Sequence, residues 1–204
     1  MIIFDVGAHW GRTCSKYYST YKDNNPIIHC FEPDKRNISH FIKNTENIKN
    51  HVILNKCAVS NENKTLKLYI TKKTACSSLL EPNSDNFKKW KFPDQTCFNV
   101  IDTYDVKCIT LYDYIVNNNI KKIDILKIDT QGNDFNVIKS LKDKIHIVNQ
   151  ILLEVQVTDY EIYKNQAKKE EVLNYLKEKN FTLTDTQKQT FDQEENLTFI
   201  NNDI

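Results

Sequence analysis

Glycine is almost missing from this sequence: there are three in 204 residues, where average usage of ~7% would give roughly 14. A chain this poor in glycine keeps it only where the backbone demands it. Arginine is scarcer still, limited to Arg12 and Arg36, so the preferred bidentate fork for phosphate is nearly absent. No excess of one charge exists either: 28 Lys plus Arg face 27 Asp plus Glu, a net +1. That balance gives no electrostatic case for nucleic acid or a membrane surface as partner. No apolar run approaches the ~18 residues of a bilayer span. The chain opens directly on the strand-like Met1-Ile2-Ile3-Phe4-Asp5-Val6, without a leader, which reads as an intracellular, cytoplasmic protein. The six cysteines, at 14, 30, 57, 76, 97 and 108, form no C-x-x-C pair and have no histidine cluster beside them. A zinc site and a disulfide framework are therefore not expected, and buried reduced thiols are.

What is present is core material. Apolar residues make up 40% and charged residues 27%, outside the range of a disordered chain. A chain of this length buries roughly 70–75% of its unfolded surface without a staple. With no repeat and no linker, residues 1–204 read as one domain. Strand patterns fall at 2–6, 27–31, 51–55, 65–70, 106–110, 123–128, 151–155, 181–183 and 197–200. Helical patterns follow the first strand (Cys14, Tyr17, Tyr18, Tyr21), open at Pro33-Asp34, and recur near 111–117, through Val137, Ile138 and Leu141, and at 167–179. Strands alternating with helices predict an α/β fold with a mainly parallel sheet. Between 72 and 105 the periodicity fails. That stretch, with Trp90 and Phe92 in it, reads as a functional loop covering the substrate, although aromatic residues there also suit a core.

Two glycines, Gly7 and Gly11, lie in the turn after the first strand, Asp5-Val6-Gly7-Ala8-His9-Trp10-Gly11, and the third, Gly132, follows a strand ending at Asp129. In open α/β sheets ligands bind beyond the carboxyl ends of such strands. The second strand ends in Phe31-Glu32-Pro33, which places Glu32 where a carboxylate grips the hydroxyls of an adenosine ribose. A P-loop is excluded because Gly11 is followed by Arg12-Thr13 instead of Lys-[Ser/Thr]. A dinucleotide fingerprint needs a glycine where His9 stands, so that the backbone can approach a pyrophosphate. An adenosine ligand without pyrophosphate suits this loop, and S-adenosyl-L-methionine (SAM) is such a ligand. A structural turn or another nucleotide remains the alternative from these residues alone.

The sequence also resembles the FkbM-type family of SAM-dependent methyltransferases, in matching order along nearly its whole length. Phe4-Asp5-Val6-Gly7-Ala8-His9-Trp10-Gly11 looks like the family's cofactor loop and Phe31-Glu32-Pro33 like its ribose-binding strand end. Cys57-Ala58-Val59-Ser60 is similar to the segment flanking the adenine, and Ile109-Thr110-Leu111-Tyr112-Asp113 to a T-L-D-x-[LI] lead-in. Leu126-Lys127-Ile128-Asp129-Thr130-Gln131-Gly132 is close to the family's K-I-D-x-[EQ]-G signature, and Ile151-Leu152-Leu153-Glu154-Val155 and Glu195-Asn196-Leu197-Thr198-Phe199-Ile200 follow in family order. The family often has Asn at the place of His9 and Glu at those of Gln131 and Asp134. An amide at 131 removes any proton-transfer or metal role there. The resemblance implies a Rossmann-like class I methyltransferase fold: a mainly parallel seven-stranded sheet with an antiparallel closing strand and helices on both faces.

It further implies SAM as cofactor, held by Asp5, Gly7, Ala8, His9, Gly11, Glu32, Ala58 and Val59, and O-methylation of a hydroxyl on a sugar, glycan or other small molecule. Asp5, inside a buried strand, needs a partner such as a backbone amide or the SAM ammonium. His9 either contacts the methionine end or covers the loop. Asp129, at a strand end beside the first strand, is the leading candidate for general base, with His9 and Glu154 next; Glu154 suits a satisfied structural acid equally well. No ligand set for a divalent metal can be assembled. The alternatives are a SAM- or nucleotide-binding module without catalysis and a nucleotide-dependent oxidoreductase, which His9 disfavours.

Overall fold

Strands β1 (Ile2–Val6), β2 (Ile27–Phe31) and β7 (Ile123–Ile128) are largely apolar, broken by few polar residues, because both faces of the sheet they build are covered. The computed structural model describes residues 1–91 and 94–204; Phe92 lies outside them. Between these strands come β3 (Val52–Asn55), β4 (Ala58–Val59), β5 (Lys64–Thr71) and β6 (Val100–Ile109), and after them β8 (Val148–Gln156), β9 (Phe181–Gln189) and β10 (Glu194–Asn201). The main sheet has seven strands in the order β3-β2-β1-β7-β8-β10-β9. The pairs from β3 to β8 are parallel, and β10 runs antiparallel to both its neighbours. This is the doubly wound sheet with one reversed closing strand that the sequence predicts.

Side-chain alternation divides the core. Ile3, Ile28 and Ile125 pack with Cys14 of α1 (Arg12–Tyr21) and Phe41 of α2 (Lys35–Thr45). Phe4, Val6, Leu126 and Ile128 pack on the opposite face with Leu111 and Ile115 of α3 (Leu111–Asn117). Val137 and Ile138 of α4 (Asp134–Lys139) and Val172 and Leu176 of α5 (Lys169–Glu178) complete that face. Of the six cysteines, all are free thiols and five are buried.

Two elements depart from the sequence pattern. β6 starts at Val100 instead of 106 and pairs antiparallel with β5 in a second, three-stranded sheet, β4-β6-β5. β9 and β10 form a long hairpin where a polar loop was expected between 183 and 197. The reason is the same in both: residues 100–103 and 182–189 are exposed, so backbone pairing, which leaves no apolar alternation, holds them in strands. The remaining irregular stretch contains three short 3-10 turns, Thr74–Cys76, Ser84–Lys89 and Gln95–Phe98. Trp90 there is buried with Cys97, Phe98, Ile162 and Tyr163, in a core of its own.

Candidate active site

The carboxyl ends of β1, β2 and β7 are laced together by backbone bonds. The amides of Gly7 and Ala8 donate to the Phe31 carbonyl at 3.0 and 3.1 Å, and the amide of Asp129 donates to the Val6 carbonyl at 3.0 Å. Between β1 and α1 the chain takes the left-handed conformation three times in five residues, at Gly7, His9 and Gly11. What the glycines approach is the protein itself. A Cβ on Gly7 would lie 1.8 Å from the Asp129 carbonyl oxygen, and one on Gly11 2.8 Å from Thr45 and 2.9 Å from Phe41. Gly11 thus lets α1 close on α2 and does not line the cleft, a correction to its expected role as a cofactor contact.

Above these ends lies a cleft of about 210 Å³. Val6, Gly7, Ala8, His9 and Trp10 form one wall, and Glu32 and Asp34 stand at the β2 end. An apolar side is made by Phe31, Ala58, Val59, Leu68 and Leu79, and Asp129, Thr130 and Gln131 close the β7 end. The segment 74–79, read from sequence as a cover over the substrate, supplies Thr74, Ala75, Ser77, Ser78 and Leu79 as a wall. It is tied in place: Arg36 donates to the Thr71 carbonyl and to Ser77 Oγ, both at 3.0 Å, and Ser78 Oγ donates to the Gln131 carbonyl at 2.7 Å.

Glu32 is buried, and three N–H groups already bind it: His9 N at 2.7 Å, Asp34 N at 2.8 Å and Asn37 Nδ2 at 3.2 Å. A carboxylate accepts about four hydrogen bonds, so capacity remains for a hydroxyl from the cleft. Burial, opposed by these donors, pushes its carboxyl up to about 7. His9 lines the cleft, stacks on Trp10 and shares a 2.7 Å hydrogen bond between Nε2 and Thr74 Oγ1. Burial lowers its pKa below the ordinary histidine value, outweighing Asp129. The imidazole thus couples the loop after β1 to the 74–79 wall.

Asp5 needs correction. It is fully buried beneath the loop, does not line the cleft, and its partner is Lys127, directly opposite in the β1–β7 register. The Lys127 ammonium lies 3.1 Å from Asp5 Oδ1, 3.7 Å from Asp129 Oδ2, and donates to the Gly7 carbonyl at 3.1 Å. Burial works against the charge on Lys127, but Asp5 and Asp129 overcome it and hold its pKa above the ordinary lysine value. Asp5 Oδ1 has no aligned hydrogen bond, while Oδ2 accepts one from Cys14 Sγ at 3.3 Å. Asp5, Cys14 and Cys30 cluster within 4.8 Å, and Lys127 supplies the positive charge beside them. The signal for Lys127 was in the sequence, a lone base in an apolar strand, but only the register reveals its partner.

Asp129 lines the cleft with its side chain 41% exposed. Its Oδ1 accepts from Gln131 Nε2 at 2.9 Å, and Gln131 Oε1 accepts from the buried Tyr163 hydroxyl at 2.9 Å. Tyr163 was invisible to motif reading because it lies in an irregular stretch, far from the signature in sequence. Glu154 is not in this cleft. It faces an adjoining hollow with Asp134 and Glu194, behind Gln131, where burial and then Asp129 raise its pKa, which favours the neutral carboxyl. Asp134 is engaged as a structural acid, accepting from the amides of Thr130 and Gly132 at 3.0 and 3.1 Å.

The sequence profile of the methyltransferase FkbM domain matches residues 5–183. The chain belongs to the FkbM methyltransferase family. Members of that family use SAM. The fold agrees with the assignment: an FkbM methyltransferase from Methylobacillus flagellatus KT superposes with a TM-score of 0.62 at 11% identity, over 97% of this chain and 42% of that one. A SAM-dependent methyltransferase from Clostridium acetobutylicum ATCC 824 gives 0.51 at 9% identity, over 98% and 83% of the two chains. TrmK of M. capricolum, in complex with S-adenosyl-homocysteine, gives 0.50 at 9%, over 99% and 62%. The chain therefore spans less than two thirds of the length of the FkbM and TrmK structures. No curated protein matches the sequence significantly.

The residues of this FkbM-family cleft fit SAM. A buried carboxylate with spare acceptor capacity, Glu32, stands at the end of β2 where it can accept from a hydroxyl in the cleft, and an apolar wall at Ala58 and Val59 suits a flat ring. A glycine-containing loop runs into a helix whose N-cap, Gly11, has no side-chain cap and whose first turn has no acid. Among the described residues, no helix is long and apolar enough to cross a membrane.

Proposed function

We propose that this FkbM-family chain is a SAM-dependent O-methyltransferase that acts on a hydroxyl of a sugar or another small hydroxylated acceptor, with Asp129 as general base. The observation that carries this reading is the half-exposed Asp129 carboxylate in the wall of the cofactor cleft, fixed by Gln131 and beside Lys127. When bound, SAM supplies a methyl group on a sulfonium. A hydroxyl acceptor must shed its proton as it attacks, and a carboxylate within hydrogen-bond reach takes it. Glu32 would hold the ribose, Ala58, Val59 and Leu68 the adenine, and the Gly7–His9 loop with the Arg12 guanidinium at its rim the methionine end. His9 is committed to Thr74, and Glu154 sits in the neighbouring hollow, which leaves Asp129 as the carboxylate facing the cleft beside the methionine end.

Holding acceptor and electrophile in line supplies a large part of the acceleration, up to about 7–11 kcal/mol. The test is a screen of sugars and hydroxylated metabolites that follows S-adenosyl-homocysteine release. With an acceptor in hand, Asp129→Asn should reduce turnover by about 10²–10⁴ while S-adenosyl-homocysteine affinity stays within a few fold. Full turnover in a folded Asp129→Asn protein would remove Asp129 from the mechanism.

A further inference from the structure

We propose that Gln131 and Tyr163 are a positioning pair that keeps Asp129 Oδ1 hydrogen-bonded in both of its protonation states. The proposal rests on the reading of Asp129 as the proton acceptor. Tyr163 is buried, and its hydroxyl lies 2.9 Å from two acceptors, Gln131 Oε1 and the Cys76 carbonyl. One proton can serve only one of them at a time. Gln131 reaches between Tyr163 and Asp129 from a left-handed backbone (φ 56°), a conformation disfavoured for a side chain with a Cβ. The adjacent Gly132 makes room for the tyrosine ring, because a Cβ there would lie 3.1 Å from Tyr163 Cδ2.

A primary amide donates at one end and accepts at the other, so the relay has a direction. With Asp129 ionised, the Tyr163 hydroxyl donates to Gln131 Oε1, and Gln131 Nε2 donates to Asp129 Oδ1. With a proton on Oδ1, the order reverses. Asp129 donates to Gln131 Oε1, the amide having turned over, Gln131 Nε2 donates to Tyr163 Oη, and the tyrosine hydroxyl turns to the Cys76 carbonyl. No backbone atom need move, and every donor in the relay keeps an acceptor. The only proton gained is the one from the acceptor hydroxyl, and it stays on Asp129. The Lys127 ammonium beside Oδ2 makes Oδ1 the better seat for it. Glutamate at 131 has no N–H to offer an ionised Asp129 and would set two like charges together, which gives the amide in this chain a use of its own. Burial raises the Tyr163 hydroxyl well above its usual range, so it stays neutral throughout.

Other charges face Asp129: Lys127 on β7, His9 in the loop, Asp134 on α4, Glu154 on β8 and Glu194 on β10. The experiment must separate their titration from that of Asp129. It is an NMR pH titration of the labelled protein, with and without S-adenosyl-homocysteine, that follows Asp129 Cγ, the Gln131 side-chain amide and Tyr163 Cζ. The expected result is one shared midpoint for all three. In Asp129→Asn the Gln131 and Tyr163 signals should lose that transition, and in Gln131→Leu the Tyr163 signal should no longer follow Asp129. Gln131 and Tyr163 signals that stay flat through the Asp129 transition, or a response that survives Asp129→Asn, would overturn the pair. None of these signals depends on turnover. Uncoupled resonances in a protein that needs Asp129 for activity therefore overturn the relay alone, and coupled resonances with a fully active Asp129→Asn overturn the base assignment alone.

Discussion

Replacing Lys127 with Met strands the Asp5 carboxylate. Methionine keeps most of the apolar stem and removes only the ammonium, which lies 3.1 Å from Asp5 Oδ1 and 3.1 Å from the Gly7 carbonyl. Asp5 is fully buried, so water cannot compensate. Breaking a buried pair by removing one partner costs about 3–5 kcal/mol, because an uncompensated charge remains. For a protein of 150–250 residues each kcal/mol moves Tm by about 2–4 °C, so the expected fall is roughly 6–20 °C. The double variant Asp5→Asn/Lys127→Met removes both charges and should recover a substantial part of the loss, since a neutral replacement of a buried pair is often nearly neutral. Urea and thermal unfolding of the parent, the two single variants and the double variant form a cycle whose coupling energy isolates the pair. A Lys127→Met protein within about 1 kcal/mol of the parent, or a double variant no better than the single, would refute the reading that this buried pair holds the turn at Gly7 in place.

Four further outcomes are expected. Gly7→Ala places a Cβ 1.8 Å from the Asp129 carbonyl at a left-handed φ of 79°, so it should destabilise the apoprotein by about 2–5 kcal/mol from left-handed strain and overpacking together. An apoprotein as stable as the parent but unable to bind S-adenosyl-homocysteine would show instead that Gly7 serves the ligand directly. With the Glu32 carboxyl at about 7, and the ionised form needed to accept ribose hydroxyls, S-adenosyl-homocysteine affinity should fall about tenfold per pH unit below 7; calorimetry showing a flat profile from pH 5.5 to 8 would sink the ribose assignment. The same raised carboxyl contributes stability that is complete below its ordinary value of 4.5 and lost as pH rises through 7, about 3 kcal/mol in all. Asp134, also pushed up to about 7, acts in the same direction, so apoprotein Tm should decline between pH 5 and 8, and a Tm that rises over that range would refute the assignment. Thr130→Val removes a buried hydroxyl that has no hydrogen-bond partner among the described residues and, in thermal unfolding, should leave stability unchanged or raise it by up to about 1 kcal/mol.

Burial makes Glu32→Ala a poor probe of the ribose contact. The strand-end position alone suggests a carboxylate that can be deleted without structural effect, but its three N–H partners would be orphaned, and each unsatisfied buried donor costs about 1–3 kcal/mol. The pH profile of the intact protein reads the same group without that confusion.

Local pattern was enough for the strands whose side chains enter the core, and for the two strand ends that carry Gly7 and Glu32. Largely apolar runs define β1, β2 and β7 because both sheet faces bury them, and glycine scarcity marks each retained glycine as a forced position. The same logic misses β9 beyond 183 and the outer half of β6, where polar side chains face water and pairing is the only restraint. Gly7, Gly11 and Gly132 mark close approaches, as expected, but the approaching groups are the Asp129 carbonyl, α2 and Tyr163.

The sequence by itself determined the α/β class, the glycine-bearing turn after β1, the acid at the end of β2 and the family, because these depend on residue type at short spacing. Only the tertiary structure decided which charges meet. Asp5 and Lys127 are 122 positions apart and become partners through the β1–β7 register. Glu154, two residues from a strand position paired with Lys127, passes into a different hollow from Asp129. Tyr163 reaches Gln131 from beyond β8. Such contacts depend on strand order and register, and a shift of one residue in β1, β7 or β8 would turn Asp5, Lys127 or Glu154 to the other face of the sheet.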